Sequence, residues 1–226
     1  MGFLIYFLIV LIIPIYAQFK VKSTFNKYAK VSSTSGMSGA EVARKILNDN
    51  GLFNVAVEET RGYLSDHYDP RAKVVRLSSA NYHGHTVAGT AVAAHEVGHA
   101  IQDAKDYGFL RFRHSLVPVA NFSSNFSWIF ILIGIFSQAS GMLLVGILLL
   151  ALGVLFQVVT LPVEFNASSR ALTQLTTSGI INSNENVYAK RVLNAAALTY
   201  VAAAAVAVLE LLRLVLIYTG MQNDED

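Results

Sequence analysis

Two histidines and a glutamate fall at positions 95, 99 and 96, in the run His95-Glu96-Val97-Gly98-His99. Residues four apart stand one turn above each other on a helix, so His95 and His99 can direct two imidazole nitrogens at one metal ion. Glu96 beside them can polarise a water at that ion, which is the chemistry of zinc-assisted hydrolysis. The surroundings suit a helix: Ala91, Val92, Ala93, Ala94, Val97, Ala100 and Ile101 are small or apolar, and no proline interrupts them. The pattern is also compatible with a buried helix whose histidines are hydrogen-bonded core residues. Against that stands Glu96, a carboxylate that is costly to bury without a task.

Two histidines leave a catalytic zinc site one protein ligand short. Cysteine is absent, so disulfides, thiolate ligands and a cysteine nucleophile are excluded, and any further ligand is His, Asp or Glu. The candidates are His67, His83, His85, His114 and a carboxylate. His83 and His85 lie close to the motif and would need the chain to fold back sharply. Glu164 is better placed, because it stands where an apolar hairpin ends and can open a helix lying across the first one. It would complete a His2Glu ligand set. Spacing equally allows Glu164 to be a carboxylate near a helix N-terminus, favoured there by the dipole.

The elements that must position these residues are those of a membrane protein. Hydrophobic residues make up 54% of the chain and charged residues only 14%, against about 25% charged in ordinary soluble domains. A net charge of +2 and the lack of a basic, aromatic-studded stripe argue against nucleic acid as a partner. Apolar segments run over 2–19, about 117–136, 141–160 and 195–218. No Lys or Arg precedes the first, as a signal peptide would require, so it reads as an uncleaved anchor. Ser137-Gln138-Ala139-Ser140 is barely a turn, which makes the middle two a hairpin. Glu210 and Arg213 sit within the last segment at i,i+3 spacing, as expected of an ion pair.

Of the 17 Lys and Arg, 13 precede the hairpin, three lie between Arg170 and Arg191, and one is Arg213. Four spans with both termini outside put every loop-borne positive charge on the cytoplasmic side, together with the HExxH residues and Glu164. The reading is therefore an anchor (2–19), a cytoplasmic domain (20–116), a transmembrane hairpin (117–160), a cytoplasmic helix (161–194), a last span (195–219) and an acidic tail (220–226). Within the polar domain, Ser32 to Ser38 reads as a linker. Ser38 and Glu41 fit a capping box that opens a helix to about Asp49. Short β-like runs follow at Phe53–Val57, Tyr63–Leu64 and Lys73–Ser78, with Asp66–Pro70 as a turn. Lys73 and Arg76 are charges of the kind that blunt an exposed edge, so Lys73–Ser78 reads as an edge strand that receives substrate as an added strand or, equally, as an internal strand of the small sheet.

Ala93-Ala94-His95-Glu96-Val97-Gly98-His99-Ala100-Ile101-Gln102, followed by Leu161-Pro162-Val163-Glu164-Phe165-Asn166-Ala167-Ser168, resembles the YugP-type neutral zinc metallopeptidase family of membrane proteins. The resemblance extends through Asp66–Pro70, the Lys73–Ser78 run and Leu198-Thr199-Tyr200, and so covers most of the chain. More distantly the chain is similar to the HtpX and CAAX prenyl endopeptidase group. There the Glu of a Glu-x-x-Ala-Asp motif is the third ligand, which implies Glu164 here. The Asp position holds Ser168, which can hydrogen-bond an imidazole but cannot supply a charge.

The expected fold is an α-helical integral membrane protein with four transmembrane helices and a small α+β zincin-like catalytic domain. The expected function is a zinc metalloendopeptidase of the plasma membrane, cleaving peptide or protein substrates at the cytoplasmic face. Zinc would be held by His95, His99 and Glu164, and Glu96 would be the general base. Tyr200, His67 and His83 are candidates for an additional oxyanion donor. Two other readings are a non-catalytic scaffold or chaperone-like partner that keeps the metallopeptidase fold, and a metal-ion relay in a transporter. The latter would need polar residues threaded through several spans, and the spans offer mainly serines and glutamines besides the Glu210–Arg213 pair.

Overall fold

A computed structural model of the chain describes residues 2–225; Met1 and Asp226, the last residue of the acidic tail, lie outside the described residues. The elements in order are α1 (Gly2–Tyr28), α2 (Gly39–Asp49), β1 (Ala56–Thr60), β2 (His67–Asp69), β3 (Val74–Ser78), α3 (Ser79–His83), α4 (Val87–Ala104), α5 (Gly108–Phe136), α6 (Ser140–Thr177) and α7 (Ser183–Glu225). The chain is mostly helical, and α1, α5, α6 and α7 are each long and apolar enough to cross a membrane. Their large side chains are widely exposed, Leu4, Phe19, Trp128, Ile133, Leu148 and Leu216 among them, as lipid-facing residues are.

The helices outrun the apolar segments that mark them. At 1.5 Å per residue, α6 with 38 residues and α7 with 43 are about 57 and 65 Å long, roughly twice the ~30 Å hydrocarbon layer. Expecting a new helix to open near Glu164 is therefore wrong. Pro162 lies inside α6, which runs on unbroken past it. A helix can absorb an interior proline where neighbouring groups satisfy the freed carbonyl. With Glu164 far from either end of α6, the helix-dipole explanation for it falls away.

The chain divides into two compact units. One comprises Met1–Ile15, Arg111–Pro162 and Tyr200–Asp226, the other Tyr16–Leu110 and Val163–Thr199. In the first, the α5–α6 hairpin closes tightly over Gly134 and Gly146. A Cβ at Gly134 would stand 2.5 Å from the Leu143 amide nitrogen, and one at Gly146 would stand 2.8 Å from that of Ile131, the close approach that small residues allow between membrane helices. The Glu210–Arg213 ion pair is present, with Arg213 Nη2 donating to Glu210 Oε1 at 2.5 Å, and the Tyr6 hydroxyl donates to the same carboxylate.

The second unit is built around α4. Small residues let neighbours approach it, and Val87, Ala88, Ala91, Ala94, Val97, Ala100 and Ile101 are all buried in one core with Val42, Ile46 and Leu47 of α2 and Val75 and Leu77 of β3. The capping box at α2 is present as the sequence indicates: Glu41 N donates to Ser38 Oγ, and Ser38 N donates to the Glu41 carboxylate at 2.8 Å. Ser32–Ser38 is not a loose linker. Ser32 bridges to Thr86, Ser33 N donates to His85 O at 2.8 Å, and Thr34 gives its N–H and its hydroxyl to the Glu185 carboxylate at 2.7 and 2.6 Å.

The sheet corrects the strand reading, and Tyr63–Leu64 forms no strand. The first run is shifted, from Phe53–Val57 to Ala56–Thr60, and the supposed Asp66–Pro70 turn holds a strand of its own, His67–Asp69. The strand order is β1-β3-β2, with β3 parallel to β1 and antiparallel to β2. β3 is thus the central strand, and the edges are β1 and β2. Val74, Val75, Leu77 and Ser78 are buried, so the substrate-edge expectation for Lys73–Ser78 is overturned. The charges that suggested an edge have other partners: Lys73 donates to buried Asp103 at 2.5 Å, and Arg76 reaches Glu58 on one neighbouring strand and Asp69 on the other.

Candidate metal centre

The second unit brings His95, His99 and Glu164 together. One ligand-type atom from each lies within 4.8 Å of the others, the only such trio among the described residues. His95 Nε2 is 3.3 Å and His99 Nε2 is 3.6 Å from Glu164 Oε2. Ligand atoms bound tetrahedrally to zinc at about 2.0–2.1 Å stand roughly 3.3 Å apart, so the trio has the dimensions of three corners of a zinc tetrahedron. Glu164 Oε2 is buried and makes no hydrogen bond, an acceptor that is costly to leave unused. Two imidazoles and a carboxylate are a donor set zinc accepts. On distance, burial and donor chemistry, the residues fit the ion.

Close helix packing creates this geometry. Gly98, between the two histidines, has no side chain, and a Cβ there would lie 2.6 Å from the Ala167 carbonyl oxygen. Glycine at this position lets α4 touch the backbone of α6. The contact brings Glu164 and Ser168, one turn apart on α6, against His95 and His99, one turn apart on α4.

Each imidazole has a neutral acceptor at its far nitrogen. Ser168 Oγ is 3.2 Å from His95 Nδ1, and Gln102 Oε1 is 3.0 Å from His99 Nδ1. With Nδ1–H donated to these oxygens, both Nε2 lone pairs are left toward Glu164. Gln102 is fully buried and is itself fixed, because its Nε2 donates to Val163 O at 2.8 Å and to Asn166 Oδ1 at 3.0 Å. Arg170 Nε donates to the same Asn166 oxygen at 2.7 Å. Gln102 escaped the sequence reading. Its signal is the i,i+3 spacing from His99, which places the two side chains on one helical face.

Glu96 is buried at 8% exposure, and among the described residues its carboxylate has no hydrogen bond or ion pair. Burial pushes its pKa up from the ordinary carboxylate range, and the two neighbouring imidazoles oppose that rise. His67 is exposed in β2, with Nδ1 2.9 Å from Ser65 O, and His83 is exposed with Nε2 3.2 Å from Glu59. Tyr200 belongs to the other unit. His85 is 2.8 Å from Gly36 O. Asp66 accepts from Ser78 and Asn81, and Asp69 from Arg71, Ala72 and Arg76.

A family model described as "Putative neutral zinc metallopeptidase" matches residues 3–219. A relative in Bacillus subtilis (strain 168), described as "Putative membrane protease YugP", is 50% identical over 209 residues, which cover 92% of this chain and 93% of the relative. No solved structure matches the chain.

Proposed function

Since the chain belongs to the neutral zinc metallopeptidase family, we propose that it is a zinc metalloendopeptidase of the plasma membrane, gluzincin-like in its ligands and zincin-like in its catalytic fold. It cleaves peptide or protein substrates, some of them membrane-associated, at the cytoplasmic face. The observation that carries this reading is the convergence of His95 Nε2 and His99 Nε2 on the buried Glu164 Oε2. These three residues would hold the zinc. Zinc, when bound, supplies Lewis-acid chemistry, acidifying water and drawing electron density from a peptide carbonyl.

The chain's own residues do the rest. Ser168 and Gln102 hold the imidazole rings so that their Nε2 lone pairs face inward. The Glu164 carboxylate would offset part of the metal's charge. Glu96, adjacent to His95 and free of competing donors, accepts a proton from the attacking water and returns it to the leaving amine nitrogen as the C–N bond breaks. Tyr200 and His67 remain candidates for donating to the oxyanion.

Turnover by Glu96→Gln tests the base. The amide keeps the size of the side chain but cannot accept water's proton. Peptidase activity of the purified full chain is expected to fall about 10²–10⁴-fold, with zinc content unchanged. A Glu96→Gln protein that cleaves at the wild-type rate removes Glu96 from the mechanism.

A further inference from the structure

A cleft of about 610 Å³ lies between α1 and α7 and contains no residue of the metal centre. Lys20, Ser23, Thr24 and Lys27 line it from α1, and Arg191, Asn194, Ala195 and Leu198 from α7. On each helix the spacing is that of one face: 20, 23, 24 and 27 on α1, and 191, 194, 195 and 198 on α7. Three cations converge here without a carboxylate. No acidic residue lines the cleft, and among the described residues Lys20, Lys27 and Arg191 form no ion pair.

The site is also partly fixed in place. Arg191 Nη1 donates to the Tyr28 hydroxyl at 3.0 Å, and Tyr28 is buried and stacked on Tyr188 at 5.1 Å between ring centroids. Lys27 Nζ lies 5.5 Å from the centre of the same Tyr28 ring. One side of the Arg191 guanidinium is therefore anchored, and its other N–H groups remain for a ligand.

Position identifies the ligand. Lys20 directly follows the apolar run that ends at Phe19, and Arg191 stands four residues before the apolar run that begins at Ala195. The cleft thus falls where two membrane helices leave the hydrocarbon layer, with cations on the polar side and Leu198 on the apolar side. We infer that this cleft binds the headgroup phosphodiester of an anionic glycerophospholipid, with Lys20, Lys27 and Arg191 on the phosphate, Ser23, Thr24 and Asn194 near the glycerol and polar head, and Leu198 against the start of an acyl chain. Basic pockets between membrane helices recognise lipid headgroups through this combination of charge and depth.

Native mass spectrometry of the full chain, delipidated in a neutral detergent, tests the site. Phosphatidylglycerol, phosphatidylcholine and inorganic phosphate are titrated separately. Wild type is expected to retain phosphatidylglycerol in preference to phosphatidylcholine and to hold it against an equal concentration of inorganic phosphate. Removal of the three charges in Lys20→Gln/Lys27→Gln/Arg191→Gln should weaken phosphatidylglycerol binding by about tenfold or more. Lys20→Gln/Lys27→Gln, which keeps the Arg191–Tyr28 bond, should fall in between and supplies the reading if the triple variant does not fold. Lys22→Gln/Lys30→Gln, with its charges outside the cleft, should bind like wild type. The site is refuted by equal retention of the two lipids, by unchanged binding in the double cleft variant, or by an equal loss in Lys22→Gln/Lys30→Gln. Displacement by inorganic phosphate would make it a free-anion site and refute the lipid.

Discussion

Gln102 shows what a neutral side chain does beside a metal ligand. A carboxylate at the far nitrogen would pull charge into each imidazole, whereas Gln102 and Ser168 orient the rings without adding charge. The orientation still matters, because a ring rotated about its Cβ–Cγ bond turns Nε2 away from the other ligands. Gln102→Leu keeps the volume but removes the acceptor for His99 and the donors to Val163 O and Asn166. Zinc affinity measured by competition with a chelator is expected to fall about 10–100-fold in Gln102→Leu and in Ser168→Ala. Ser168→Asp should bind zinc at least as tightly as wild type, since it restores an acceptor and adds charge. Wild-type affinity in both Gln102→Leu and Ser168→Ala would refute the positioning role. At this scale much was legible in the sequence: four-residue spacing marked His95 and His99 as neighbours, and the structure brings both to Glu164. The i,i+3 spacing places Gln102 beside His99 but does not assign it a role, and Asn166 was hidden, because a neutral amide is defined by what stands opposite it.

At the scale of elements, the site depends on how closely α4 and α6 approach. Gly98→Ala places a methyl 2.6 Å from the Ala167 carbonyl oxygen, and backbone cannot move aside as a flexible side chain would. The helices must separate, and Glu164 moves with α6. Thermal unfolding should show a loss of roughly 1–3 kcal/mol, and zinc should bind more weakly, whereas Gly36→Ala has open space around its Cβ and tests only its positive φ. Normal stability and normal zinc affinity in Gly98→Ala would show that this contact does not set the geometry. The α2 capping box was legible because its signals are local in sequence. The sheet was less so. Lys73, just before β3, and Arg76 on it look like edge charges, yet each finds an acidic partner on another element, and those pairings exist only after folding. The continuity of α6 through Pro162 was hidden for a related reason, since a proline signals a break wherever tertiary packing does not compensate.

For the whole molecule, charge asymmetry sets the proposed orientation, with both termini outside and the metal centre in the cytoplasm. The lack of native cysteine makes each introduced thiol the only one to react. Cysteines at Ser33 and Ser183 should resist an impermeant thiol reagent in intact cells, while one at Asn223 should react. Ser33 is buried, so its protection is judged against the same variant in permeabilised, denatured cells. Labelling at Ser183 with protection at Asn223 would invert the topology. The central claim, however, concerns the metal, and it depends on a residue drawn from a long helix 65 positions after His99. The most direct measurement is the zinc content of the purified full chain, for wild type beside Glu164→Ala. Stoichiometric zinc in wild type and its loss in Glu164→Ala, with the variant still folded, is the result this account predicts. Full zinc occupancy in folded Glu164→Ala would contradict it and remove Glu164 from the metal centre.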